Sequence, residues 1–165
     1  MRLRALPPAL ALTATLAACA TAPAPPAPSA GPAPAPIEGY DWIFHEDAGA
    51  ARLVYGVAES DDVRVALDCE RGAGRLALTA VAGPDAEPTI VLESGGKTER
   101  FAATAEEDLV HDGLILSAMA EADAPVFLRF RQVGWLALWA DGARQAYAPH
   151  PGSEARIERF FAFCG

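Results

Sequence analysis

Apolar side chains recur at every second position through much of this chain, and each such run is closed by glycine or another turn former. Val63, Val65, Leu67 and Cys69 share one face of an extended segment, with Arg64, Ala66 and Asp68 on the other. The same period returns in Leu76, Leu78 and Ala80, in Ile90 and Leu92, and in Leu114, Leu116 and Ala118. A period of two is that of a strand with one face on a core, whereas like positions on a helix recur every three or four residues. Gly72-Ala73-Gly74, Ser94-Gly95-Gly96 and His111-Asp112-Gly113 bound the runs, and Asp141-Gly142 joins Trp135–Ala140 to Arg144–Tyr147 as a tight hairpin turn. With Asp41–His45 and Arg52–Val57 the count reaches about eight strands. Connections this short join antiparallel neighbours, so the expected fold is mainly β: an antiparallel β-sandwich or open barrel.

Two segments break the period. Ser153 follows Pro151-Gly152 as an N-cap, and Ile157, Phe160, Phe161 and Cys164 then fall at i, i+3, i+4 and i+7, the stripe of an amphipathic C-terminal helix. Residues 124–133 fit two periods at once. Val126, Phe127, Phe130 and Val133 suit a short helix with an Asp123 cap and an early Pro125, while Val126, Leu128 and Phe130 alternate with Arg129 and Arg131 as a strand would. The Asp-Ala-Pro start and the Gly134 stop favour the helix.

Nothing before residue 37 can contribute to that core. Arg2 and Arg4 precede an apolar run, Ala5 to Ala18, which is the order of a secretory signal peptide and too short for a membrane-spanning helix. The run ends in Leu16-Ala17-Ala18-Cys19, which resembles the lipobox of bacterial lipoproteins. That resemblance implies cleavage before Cys19 and acylation of this residue, with several chains giving lasting membrane attachment where one would be marginal. In that family an Asp after the cysteine retains the protein at the inner membrane. Position 20 is Ala, so the implied location is the periplasmic face of the outer membrane of a Gram-negative bacterium. An ordinary secreted protein cleaved after small residues is the alternative.

Residues 19–36 then hold seven of the fourteen prolines and no charged side chain. Proline lacks the amide donor and extends its neighbour, so the segment reads as a polyproline-II spacer. At ~3.1 Å per residue it reaches about 50 Å from a bilayer. The expected organisation is a signal peptide at 1–18, a lipidated cysteine and tether at 19–36, and a globular β-rich part at 37–165.

With Cys19 acylated, Cys69 and Cys164 are the cysteines that remain, in a chain exported to a compartment where disulfides persist. One ends the inward face of a strand and the other lies on the inward stripe of the last helix, so they are expected to pair. Two buried thiols serving as small apolar side chains are the alternative.

The charge balance narrows the function. Against 22 acidic residues stand 13 Lys and Arg, and loss of Arg2 and Arg4 with the signal takes the formal charge from −9 to −11. Nucleic-acid binding, which needs clustered cations for phosphate, is not expected. His45, His111 and His150 lack zinc-site spacing, Glu106-Glu107-Asp108 lacks that of a calcium loop, and no G-x-S-x-G elbow is present. The expectation is therefore no catalytic residue, no metal and no cofactor, although a triad assembled by geometry leaves no sequence trace. Trp135 and Trp139 share one strand face close in sequence to Arg129 and Arg131, and Trp with Arg is the pairing favoured at contact hot spots. If that face is open it is the candidate binding surface; if covered on both sides it is core.

In its pattern of Trp42, Cys69 and a helix ending at Cys164, the part beyond residue 37 resembles small cysteine-paired, β-rich periplasmic proteins. That resemblance carries no active-site motif. The function expected is a non-catalytic binding or accessory module of the cell envelope, attached to the membrane through Cys19 and meeting an envelope protein partner. An envelope enzyme and a carrier of small apolar ligands are the alternatives.

Overall fold

The computed structural model describes residues 33–108 and 112–165, so Cys19, the signal peptide, most of the tether and His111 lie outside the described residues. Its strands are β1 (Tyr40–Asp47), β2 (Ala50–Val57), β3 (Val63–Glu70), β4 (Arg75–Ala82), β5 (Thr89–Ser94), β6 (Lys97–Ala102), β7 (Thr104–Glu107), β8 (Leu114–Glu121), β9 (Leu136–Ala140) and β10 (Ala143–Tyr147). Helix α1 (Pro125–Val133) separates β8 from β9, and α2 (Glu154–Cys164) follows β10. All strand pairs are antiparallel, in a six-stranded sheet ordered β1-β2-β3-β4-β8-β7 and a four-stranded sheet ordered β10-β9-β5-β6.

The fold is thus a two-layered, sandwich-like β structure and not a closed barrel. Two strands exceed the number that periodicity identifies. Lys-Thr-Glu-Arg-Phe-Ala in β6 has no apolar alternation, and Thr-Ala-Glu-Glu in β7 is exposed throughout. Each is an edge strand held by backbone pairing to one neighbour, so composition does not mark it. The acidic Glu106 and Glu107 lie in β7 and face solvent.

The alternating residues form cross-strand rows. Leu53, Leu67, Leu78 and Ala118 lie opposite one another across β2, β3, β4 and β8, and Tyr55, Val65, Ala80 and Leu116 make the next row. All are buried, and this face is covered by the four-stranded sheet on the β8 side and by α2 over β1 and β2. At the β9–β10 turn Asp141 and Gly142 have φ of 52° and 73°, the left-handed pair that a two-residue hairpin matching sheet twist requires.

The helical reading of 124–133 holds: Val126, Phe127 and Phe130 are buried while Leu128 is exposed, and Gly134 ends the helix in the left-handed region. Its cap differs from expectation. Ala124 occupies the N-cap position, Pro125 starts the helix, and Asp123 makes no capping bond. The Val126 amide instead donates to Glu99 Oε2 at 3.0 Å, so a β6 carboxylate satisfies an amide of the first turn from across the chain.

Helix α2 buries Ile157, Phe160, Phe161 and Cys164 as its stripe requires. Cys164 forms a disulfide with Cys69, their Cα atoms 5.7 Å apart. Around it the Gly72 and Gly74 amides donate to the carbonyls of Phe163 and Cys164, both at 2.9 Å. The Arg71 guanidinium lies 4.0 Å from the Phe163 ring centroid. Ser153 does precede the helix but makes no capping bond, because its hydroxyl donates to Asp41.

Candidate functional site

The four-stranded sheet turns one face to the core and the other to solvent. On the outer face, strand register places Trp139 opposite Arg144 on β10 and Val91 on β5, and Val91 opposite Arg100 on β6. Glu93, two residues beyond Val91, sits on the same face and is 8% exposed. Arg144 grips its carboxylate with both ends of the guanidinium fork, Nε to Oε2 and Nη2 to Oε1, each at 2.9 Å. Trp139 Nε1–H donates to the same carboxylate at 2.7 Å. The Arg144 guanidinium also stands 5.2 Å from the centroid of Trp135. Charge-assisted, two-pronged bonds of this kind fix orientation as well as adding energy, so the indole of Trp139 is held in one pose. It is nonetheless 39% exposed, while Trp135 is buried.

The bonds from Arg144, and secondarily from Trp139, hold the Glu93 carboxyl below its ordinary pKa of 4.5 in spite of burial. A depressed carboxylate contributes stability that is whole above the ordinary value and is lost as pH falls through the folded-state value. Glu93→Gln, which takes up no proton there, is expected to start less stable at pH 7 by about 1–3 kcal/mol and to lose less than the parent on acidification to pH 3. Urea unfolding at the two pH values measures both differences; equal acid sensitivity would contradict the assignment.

Beside Trp139 a cleft of about 520 Å³ opens at the end of the sandwich. Its floor is made of small and apolar side chains from both sheets, Ala80, Ala82 and Leu116 from one and Leu138 and Ala140 from the other. Asp85 and Glu87 of the β4–β5 loop, Thr89 and Thr98, and the exposed Arg100 form the rim. Arg100 makes no ion pair among the described residues. The Asp141 carboxylate secures the loop by accepting from the Gly83 amide at 3.0 Å. An apolar floor, one aromatic wall and a few polar groups around the mouth make up the usual composition of a small-molecule site.

A second depression of about 620 Å³ crosses the outer face of the six-stranded sheet along His45, Arg52, Asp68, Ala77 and Met119. Asp68 is pushed up by burial and partly drawn back by Arg52, 3.5 Å away. Met119 is 55% exposed. Among the described residues no Trp, Tyr or Phe lines this surface.

Asp41, His150 and Ser153 come together, but not as a hydrolytic triad. Ser153 donates its hydroxyl hydrogen bond directly to Asp41, whose carboxylate also accepts from the His150 amide at 3.1 Å and from Arg156 at 3.0 Å. The His150 ring meets the Ile37 carbonyl at 3.2 Å. A serine bound to the carboxylate, with the imidazole turned elsewhere, has no base to activate it; the cluster ties β1 to the start of α2. His45 is exposed on β1.

Of the residues singled out by sequence, the structure brings Trp135 and Trp139 onto one face, linked through Arg144 and Glu93. It does not join Arg129 and Arg131 to them. Arg129 donates through Nε to the Ser94 carbonyl at 3.0 Å, and Arg131 pairs with Glu158 at 3.2 Å while lying over the Phe161 ring. Sequence reasoning missed Arg144. The signal was present, since a two-residue Asp141-Gly142 turn sets position 144 directly opposite 139. No protein-family model, curated protein or solved structure matches the chain.

Proposed function

We propose that the chain is a lipoprotein anchored through Cys19 at the periplasmic face of the outer membrane. There its β-rich part serves as a non-catalytic binding module of the cell envelope, using the cleft beside Trp139. The observation that carries the binding role is a half-exposed tryptophan locked by the buried Glu93 carboxylate, itself gripped by Arg144, at the mouth of a cleft. An aromatic anchor already fixed in its bound pose contributes to recognition without paying rotamer entropy on contact. For the anchored location, the support is the Leu16-Ala17-Ala18-Cys19 sequence together with the Cys69–Cys164 disulfide, which suits an oxidising compartment and leaves Cys19 for acylation.

Photo-crosslinking in cells of the native envelope tests both parts. A photoreactive residue at Thr98 on the cleft rim is expected to give a discrete adduct, and one at Ser117 on the opposite sheet is not. Cys19→Ala is expected to lose both incorporated labelled fatty acid and the adduct. Equal adducts from the two positions, or none, would reject the cleft as the contact surface, and fatty-acid labelling that survives Cys19→Ala would reject the anchor.

A further inference from the structure

We infer that the cleft beside Trp139 takes a neutral saccharide ring, an assignment that rests on the binding role proposed above and names its ligand. The cleft's lining excludes other classes by their own chemistry. An acyl chain needs a closed apolar tube, but this floor of alanine and leucine opens onto a mouth carrying Asp85, Glu87 and Arg100. A phosphate needs converging cations, and Arg100 is the one cationic side chain lining the cleft, against three carboxylates counting Asp141.

A pyranose ring presents one face of C–H groups and a circumference of hydroxyls that both donate and accept. The cleft supplies the matching parts. Trp139 offers a flat apolar surface, and its pose is fixed because Nε1–H is already bound to Glu93 at 2.7 Å. Its polar atom is therefore satisfied before a ligand arrives, and what it presents to the cleft is its ring. Around that surface stand Asp85 and Glu87 as acceptors, Arg100 as a donor, and the Thr89 and Thr98 hydroxyls, which do either. A site built to hydrogen-bond hydroxyls discriminates strongly against ligands that lack them. The volume lies within the range of small-molecule sites.

The test uses the full acylated chain in detergent micelles, titrated with tetramers of glucose and of N-acetylglucosamine. Trp42 and Trp135 are buried, so a ligand-dependent change in intrinsic fluorescence reports on Trp139. Saturation transfer to the sugar C–H protons gives a second readout. At least one tetramer is expected to bind saturably. Trp139→Ala is expected to weaken it by about thirtyfold, as for a central aromatic anchor. Trp139→Phe, which keeps a ring, is expected to retain most of the affinity. Arg100→Ala changes only the exposed rim, so it keeps the test valid if Trp139→Ala fails to fold; it is expected to weaken binding severalfold.

Absence of saturable binding by both tetramers would overturn the assignment, as would affinity unchanged in Trp139→Ala and Arg100→Ala. Saturable binding of hexalysine or decanoate in place of the sugars would overturn it too. The crosslinking experiment separates this failure from that of the broader reading. Adducts at Thr98 without sugar binding leave the cleft as a contact surface for another partner, whereas loss of both results removes both readings.

Discussion

Replacing Cys69 and Cys164 together with alanine is expected to lower stability by about 2–5 kcal/mol and to leave α2 the first element to come away. The bridge spans a sequence separation of 95, so most of the described fold lies within the loop it closes. In the chain-entropy account a loop of that length restrains the unfolded chain more than a short one would, and the folded state loses only a small buried contact. The local consequence follows from the neighbours. With the bridge gone, the end of α2 is held by the two glycine amides, by Arg71 over Phe163, and by the apolar stripe of Ile157, Phe160 and Phe161. The ion pair that Arg71 makes with Glu46 of β1 is exposed and adds little. Urea unfolding should show a lower midpoint and a steeper dependence on denaturant, because the uncrosslinked chain exposes more surface when unfolded. Hydrogen exchange should rise first in α2 and the Gly72–Gly74 turn. Equal midpoints for the oxidised parent and the double variant would mean that packing alone holds the helix.

This bridge was legible in the sequence because each cysteine lies on a face that periodicity defines, one on a period of two and one on a period of 3.6. The strands of the inner rows were legible for the same reason: Val63 to Cys69 and Leu76 to Ala80 face core on one side only, and burial imprints that asymmetry on composition. β6 and β7 carry little imprint: β7 is exposed throughout and β6 turns only Phe101 onto the core, so each edge strand is fixed chiefly by backbone pairing, which every residue type can make. The α1 cap illustrates a second limit. Asp123 was the local candidate, but the carboxylate that reaches the helix amide belongs to Glu99, 27 positions away, and only the packing of α1 on β6 brings it there.

The candidate site divides along the same line. Trp135 and Trp139 stand out as large side chains on an alternating strand, yet nearness in sequence linked them to Arg129 and Arg131, whose guanidinium groups are taken up by the Ser94 carbonyl and by Glu158. Their actual partner, Arg144, follows from hairpin register, whereas Glu93, separated from Trp139 by 46 positions, follows only from β5 pairing with β9. Residues brought together by sheet order are invisible to any reading of local spacing.

Trp42→Ala is expected to be the most damaging single substitution, costing about 3–5 kcal/mol. Trp42 is fully buried, and its ring meets a strand and a helix: Tyr55 of β2 at 5.3 Å between centroids and Phe130 of α1 at 4.9 Å. Its Nε1–H donates to the Tyr147 carbonyl at the end of β10, 3.2 Å away. Truncation therefore opens a cavity where β1, α1 and β10 converge, and at the same time strands a buried carbonyl. Two variants separate these effects. Trp42→Phe keeps most of the ring contact and removes the donor, so it should cost about 1–3 kcal/mol, the range for leaving a buried polar group unpaired. The difference between the variants is the packing share. Because Tyr147 ends the strand that carries Arg144, loosening at Trp42 should also reach the outer face, releasing the grip on Glu93 and with it the fixed pose of Trp139. The expected signature in Trp42→Phe is a red-shifted and more readily quenched Trp139 emission under conditions where the protein is still folded. An unchanged Trp139 signal would show that the outer-face triad of Glu93, Arg144 and Trp139 is held by its own bonds and is independent of the core beneath it.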